Sequence, residues 1–272
     1  MQPCRRLNHL IFFLFAGIFN GCDFQKDIEI KLPPYEKQLV AECYLEREKG
    51  LRVILTETNS YFDSLRFPFI NNAKIILSNN LGLSDTIRYN PSIDLETLKF
   101  YNYNSSTFFY DTSGNYNIEI IDSLGRKLKG QTRFLPPPDV DTIMVQFDPE
   151  DSSLARFQIY INDFPDQSNY YRVILNEDSL NSGPVLEFEF TDQNLDGRRF
   201  PIGTTYRFKR GKTMLIRIYH IEQQYYNFLE SMEDAARANG NPFAQPATIL
   251  SPMNGGFGIF TTLNYRFYKV KY

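Results

Sequence analysis

Gln38-Leu39-Val40-Ala41-Glu42-Cys43-Tyr44-Leu45-Glu46 places Leu39, Ala41, Cys43 and Leu45 at every second position. A period of two means that these four side chains share one face of an extended chain, as in a strand with one face in a core. The pattern recurs in Leu51–Thr58, Ala73–Ser78, Ser84–Tyr89, Gly114–Ile121 and Arg126–Phe134. Between these runs stand Asn79-Asn80-Leu81-Gly82, Asn90-Pro91 and Ser123-Leu124-Gly125, whose residue types suit tight turns. Further along, Thr142–Phe147, Leu154–Ile161, Tyr170–Asn176, Val185–Thr191 and Thr213–Tyr219 read as strands, and Tyr265–Tyr272 as a closing one. The chain is therefore expected to be mainly β.

Pro136-Pro137-Pro138 is the clearest interruption. Three prolines supply no ladder donor and favour a stiff extended connection. The expectation is two tandem antiparallel β-sandwich domains: residues 38–135, immunoglobulin- or transthyretin-like, and residues 139–272. The region around Pro138-Asp139 would be an accessible seam, and a fragment beginning near Asp139 would fold by itself. One amphipathic α-helix is expected over 221–238. Ile221, Tyr225, Phe228, Leu229, Met232, Ala235 and Ala236 recur there at three- and four-residue steps, and Asn239-Gly240 supplies a stop. Phe228, Leu229 and Met232 should dock this helix on the second sandwich.

The composition narrows function. The 272 residues carry 29 Lys+Arg against 32 Asp+Glu, with 42% hydrophobic residues, two histidines, three cysteines and no tryptophan. Such a chain can bury a core, but it has no basic excess with which to neutralise nucleic-acid phosphates.

Residues 1–21 read as an export signal. Arg5 and Arg6 precede the apolar run Leu10–Phe19, which is about half the roughly twenty residues needed to span a bilayer. Phe19-Asn20-Gly21-Cys22 then reads as a lipobox, with Cys22 the lipidated residue. An ordinary cleaved signal peptide, or no processing at all, is the alternative. Residues 22–37, polar and carrying Pro33-Pro34, read as a tether between the anchor and the folded part. Processing would leave Cys43 without an intrachain partner. Its place beside Leu39, Ala41 and Leu45 marks it as a packed core thiol.

Candidate chemistry is sparse. Any Ser-His-Asp arrangement would have to use His220, which continues the face of Met214, Ile216 and Ile218 and reads as structural. Gly255-Gly256-Phe257-Gly258 lacks phosphate-loop spacing and reads as a flexible turn. Asp192-Gln193-Asn194-Leu195-Asp196-Gly197 matches the opening of a calcium loop, with Asp192, Asn194 and Asp196 as its oxygen donors. The acid needed at the twelfth position is replaced by Gly203, so a turn between strands is the favoured reading. Tyr101, Tyr103, Phe108, Phe109 and Tyr110 cluster around Asn104-Ser105-Ser106, as a recognition patch or as sandwich packing. No cofactor or metal is expected.

A set of short stretches carries a resemblance. Cys22, Asp27-Ile28-Glu29-Ile30, Gln38–Cys43, Tyr61-Phe62-Asp63 and Asn72-Ala73-Lys74-Ile75 come first. Gly114-Asn115-Tyr116, Leu135–Pro138, Asp192 with Asp196-Gly197, Tyr225-Tyr226, Asn241-Pro242-Phe243, Asn254-Gly255-Gly256 and Gly258-Ile259-Phe260 follow. In this order they resemble the domain of unknown function 4249 family. The resemblance implies a β-rich outer-membrane lipoprotein of Bacteroidetes, typically encoded beside a TonB-dependent receptor, and it brings no catalytic residues. The expected role is that of a non-enzymatic accessory, anchored by lipid on the periplasmic or cell-surface face, that helps a TonB-dependent transporter capture or admit a ligand. The alternatives are an envelope structural or adhesion module and, more remotely, a hydrolase.

Overall fold

The alternation in Leu39–Glu46 is realised as strand β1 in a computed structural model. The structure describes residues 36–60, 68–105, 113–193, 195, 197–239, 245 and 247–272. Leu39, Ala41, Cys43 and Leu45 are fully buried along one face of β1. The strands that follow are β2 (Gly50–Glu57), β3 (Lys74–Asn79), β4 (Ser84–Asp94), β5 (Lys99–Asn104), β6 (Asn115–Ile121) and β7 (Lys127–Arg133). Next come β8 (Asp139–Phe147), β9 (Leu154–Asn162), β10 (Tyr170–Glu177), β11 (Leu186–Thr191), β12 (Arg199–Gly203) and β13 (Phe208–Lys209). β14 (Thr213–Ile221), helix α1 (Gln223–Asn239) and β15 (Gly256–Lys271) complete the described chain. Among the described residues the fold is mainly β with one α-helix, and its open sheets are arranged like a sandwich.

The sheet order corrects the expected division into two separate sandwiches. One 11-stranded sheet runs β11-β10-β14-β15-β1-β2-β5-β4-β3-β6-β7, straight across the triproline boundary. The splice is β15. Its first half pairs with β1 in parallel, from Leu39↔Gly256 to Glu46↔Leu263. Its second half pairs antiparallel with β14, from His220↔Asn264 to Thr213↔Lys271. Residues 37–272 accordingly form one compact unit. Parallel pairing between chain ends this far apart leaves no local sequence signal, because it needs no tight turn.

Gly258 shows how close the splice is. Its φ is +128°, and a Cβ built there would lie 1.8 Å from the Ala41 carbonyl oxygen. A glycine in a strand often marks such a backbone approach. The stretch Gly256–Gly258 is therefore strand, not the flexible turn expected.

The triproline is likewise a docked segment. Pro138 is buried, the Pro136 carbonyl faces His220 Nδ1 at 3.0 Å, and Asn264 Nδ2 donates to the Leu135 carbonyl at 2.9 Å. Side chains of β14 and β15 thus engage two carbonyls of this segment, whose prolines have no N–H to donate to a neighbouring strand.

Two dry cores flank the splice. In the first, β1 and β2 pack against β3, β6 and β7 through Val53, Leu55, Ile75, Leu77, Ile118 and Leu128, as the long sheet folds back on itself. In the second, the four-stranded sheet of β8, β9, β12 and β13 covers β10 and β14. There Phe157, Ile159 and Ile161 meet Tyr171, Val173, Ile216 and Ile218. The third cluster lies on the opposite face of the long sheet, where Tyr44, Tyr101, Ile174, Tyr219 and Ile259 receive Tyr225 and Phe228 of α1. The helix thus plugs a surface shared by both halves rather than the second sandwich alone. Met232 stays 37% exposed, because the stripe turns away after Phe228 and Ser231.

Candidate functional site

The alternation that builds the dry cores sends every second side chain to the face under α1, and there it buries charge. Glu42, Tyr44 and Glu46 of β1, Arg52 of β2, Lys99 and Tyr101 of β5, Arg172 of β10 and Arg217 of β14 converge on this side. A cavity opens among them, with Tyr44, Tyr101, Tyr219 and Tyr225 as its aromatic walls. Five cationic side chains line it: Lys49, Arg52, Lys99, Arg172 and Arg217. Three carboxylates line it with them, Glu46, Glu96 and Glu187. The space for water-sized groups is about 60 Å³, room for a few waters or one small polar group.

Each cation is held by fixed partners. Arg217, 2% exposed, donates to Glu96 Oε2 at 2.9 Å and to Asn176 Oδ1 at 3.1 Å. Arg52 donates to Glu46 Oε2 at 2.7 Å and to Asp94, and lies 4.8 Å from the Tyr101 ring centre. Arg172 donates to Glu187 Oε2 at 2.7 Å and to the Tyr225 hydroxyl. Lys99 donates to Glu42 Oε2 at 2.7 Å and to the Tyr44 hydroxyl at 2.8 Å. Burial pushes Glu46 above the usual carboxylate range, although Lys49 and Arg52 pull the other way. Burial also acts on Glu42, but Lys99 outweighs it and holds that carboxyl below its usual value. For Arg172 the cost of burial is overcome by Tyr225, Glu187 and Glu189, and the group is held more firmly protonated.

These partners leave a specific remainder. Among the described residues, four buried side-chain polar atoms lack an aligned protein partner: Arg52 Nε, Thr97 Oγ1, Arg172 Nε and Arg217 Nε. All four residues line this one cavity. Arg172 Nε is 3.1 Å from Glu189 Oε1, close enough for an ion pair but not directed along it. Thr97 Oγ1 lies near the Tyr101 phenol, whose pKa burial holds above its usual value, again without hydrogen-bond alignment. A buried donor without an acceptor costs about 1–3 kcal/mol, and more when it is charged. The four belong to residues that line the cavity, but the atoms themselves have almost no accessible surface and are covered by their neighbours.

Two loops, one from each half, meet at this cavity. Glu96 and Thr97, between β4 and β5, and Pro184, before β11, all line it. Leu98 has φ +55°, a strained region for a non-glycine residue. A Cβ on Gly183 would fall 2.8 Å from Leu98 Cδ1, so glycine lets the loops touch.

The residues singled out in the sequence lie elsewhere. His220 is 4% exposed in the second core, stacked on Phe164 and Tyr171 at ring distances of 5.3 and 5.2 Å. Burial holds its pKa below the usual histidine value. Cys43 is a free, fully buried thiol, and burial pushes its pKa well up. Asp192 turns inward, and its Oδ2 accepts from Asn169 N at 2.9 Å and Asn169 Nδ2 at 3.0 Å. Asn194 and Asp196 lie outside the described residues, as do Cys22 and Phe108, Phe109 and Tyr110. β11 and β12, the strands before and after Asp192 and Gly197, belong to different sheets and do not pair as a hairpin. Among the described residues no group of three or more His, Cys, Asp or Glu is placed to hold a metal ion. Tyr101 and Tyr103 are buried in β5 and form no exposed patch.

Sequence reasoning missed the arginines of the cavity. The available signal was Met214-Leu215-Ile216-Arg217-Ile218-Tyr219, an apolar run with one charge inside it. A lone arginine in a strand buried on both faces must be paired or functional.

Residues 25–268 match the family described as Domain of unknown function (DUF4249). The chain belongs to this family. The match runs across the triproline and the cavity alike, so the family unit is the whole continuous sheet and not one half of it. No curated protein matches the chain. No helix among the described residues is long and apolar enough to cross a membrane.

Proposed function

We propose that this member of the family is a lipid-anchored outer-membrane accessory protein that captures a small ligand and presents it to a TonB-dependent transporter, without performing chemistry on it. The observation that carries the capture half of this reading is the cavity under α1, lined by five cationic side chains and four tyrosines. Arginine N–H groups and tyrosine faces bind and orient; neither is a nucleophile or a base at neutral pH. The anchoring half rests on the lipobox at Cys22 and the apolar run before it.

Two measurements test the halves separately. Cys22→Ala should move the protein from the membrane to the soluble fraction and abolish fatty-acid labelling; labelling that persists would remove the anchor. Purification from solubilised outer membrane should bring a barrel receptor with the wild-type protein. Repeated recovery of the protein alone would favour an envelope spacer.

A further inference from the structure

We infer that the unpaired edge of β15, beyond the end of β1, is a docking site for an extended acidic segment of a partner protein, which joins the sheet as a further strand. The inference goes beyond the capture reading and does not depend on it. Its basis is a mismatch of strand lengths. β15 pairs with β1 only from Gly256 to Leu263, because β1 ends at Glu46 and the chain turns back into β2. From Asn264 to Lys271 β15 continues with β14 on one side, and among the described residues no strand stands on the other. An edge thus opens inside the order of the long sheet.

Backbone alternation fixes which groups face it. Tyr272 N donates to the Lys212 carbonyl, which continues the register Thr213↔Lys271. Pairs that exchange hydrogen bonds recur at every second position of an antiparallel ladder, so Arg266, Tyr268 and Val270 turn their N–H and C=O groups toward β14. Phe267 and Lys269 turn theirs to the open side. A notch of about 500 Å³ lies there, lined by Arg47 and Glu48 of the turn after β1, by Pro137 and Leu180, and by β15 as far as Phe267. Phe267 is 47% exposed and sets an apolar surface beside the free backbone groups. In strand addition the main chain supplies the affinity and alternate side chains the specificity.

Charge selects the occupant. Arg47, Arg266, Lys269 and Lys271 are exposed, and no ion pair holds any of them among the described residues. Glu48 is the one exposed acid in the lining. Edge lysines keep a strand from pairing with its own kind, and a second copy set edge to edge would bring cation against cation. A segment that alternates acidic and apolar residues meets neither obstacle. The chain's own Asp27-Ile28-Glu29-Ile30 has this pattern. It joins the fold at Leu39, however, the end of β1 remote from the notch, and would reach back only if fully extended.

The test uses the chain from Asp23 to Tyr272 and a labelled peptide of about eight alternating Glu and Val residues, a common strand length. Its companions are the same peptide with Lys for Glu, and two acidic forms N-methylated on one or the other alternate set of backbone nitrogens. Fluorescence anisotropy should show saturable binding of the acidic peptide and none of the basic one. One methylated form should bind about tenfold or more weakly than the other, because only one set of N–H groups bonds the neighbouring strand. Phe267→Pro, which removes an N–H from the open edge, should abolish binding, whereas Phe267→Thr keeps the backbone and should retain most of it. Lys269→Glu with Lys271→Glu should shift the preference to the basic peptide, and together with the methylated forms it decides the matter if the proline variant does not fold. Equal binding of the two methylated forms would overturn strand addition. Binding indifferent to the variants would overturn the location. Dimers without peptide binding would give the edge to a second copy, and binding that appears only after residues 23–35 are removed would give it to the chain's own tether; either overturns the partner.

Discussion

The two faces of β1 obey the same alternation and hold opposite chemistry. Leu39, Ala41, Cys43 and Leu45 enter a dry core, whereas Glu42, Tyr44 and Glu46 enter a buried network of ion pairs beneath α1. The dry face gains about 25 cal/mol for each Å² of apolar surface removed from water. The charged face desolvates arginines and glutamates, which for buried pairs often offsets their mutual attraction. A fold in search of stability alone would have filled that side with apolar residues. The contrast teaches that one side of the sheet specifies the architecture and the other spends part of that stability on a shaped polar cavity.

The sharpest way to break the comparison is to separate the halves. A fragment from Asp139 to Tyr272 lacks β1, and Ile259 and Phe260 of β15 lose the neighbours that bury them. It should show no cooperative melting by circular dichroism; a two-state transition would restore the independent second domain. A point version is Gly258→Ala, where the new Cβ meets the Ala41 carbonyl at 1.8 Å. Urea denaturation should report a loss of about 4 kcal/mol or more, and a loss under about 1 kcal/mol would mean that the two strands can move apart.

Next come the two faces themselves. Arg217→Ala leaves Glu96 and Asn176 facing a buried gap and should cost about 3–5 kcal/mol. Replacing Arg217 and Glu96 together by Met and Leu should recover most of that loss while abolishing ligand binding. If the double variant is as unstable as the single one, the charged face is structural. On the dry face Leu45→Ala should cost about 3 kcal/mol without touching ligand affinity, and a change in affinity would mean that the faces are coupled.

The smallest effect is a pH dependence in the second core. Burial depresses the His220 pKa in the fold, opposed by its bond to the Pro136 carbonyl and by Asp192. The unfolded chain therefore binds more protons between the folded pKa and the usual value near 6.5. Stability from this group is complete above about pH 6.5 and declines as the pH falls toward the folded pKa. Melting temperatures from pH 7.5 to 5 should show that decline, and His220→Gln should flatten it. An unchanged slope would assign the acid sensitivity to the carboxylates.

Local sequence determined much of this protein. Leu39–Glu46, Leu154–Asn162 and Thr213–Ile221 follow their period-two pattern because side-chain direction in a strand is a local property. The helix over Gln223–Asn239 follows its own three- and four-residue repeat for the same reason. The burial of Cys43 and of His220 was legible from their neighbours on one face. Tertiary structure alone decided the rest. It made Gly256–Gly258 a strand through contact with residues more than two hundred positions earlier, and it tied the triproline down through His220 and Asn264. It also turned the polar positions of β1, β2, β5, β10 and β14 inward. A polar residue at an alternate strand position reads as solvent-facing unless something covers it. What covers these is α1 and the meeting of two distant loops, and no window of sequence contains both the residues and their cover.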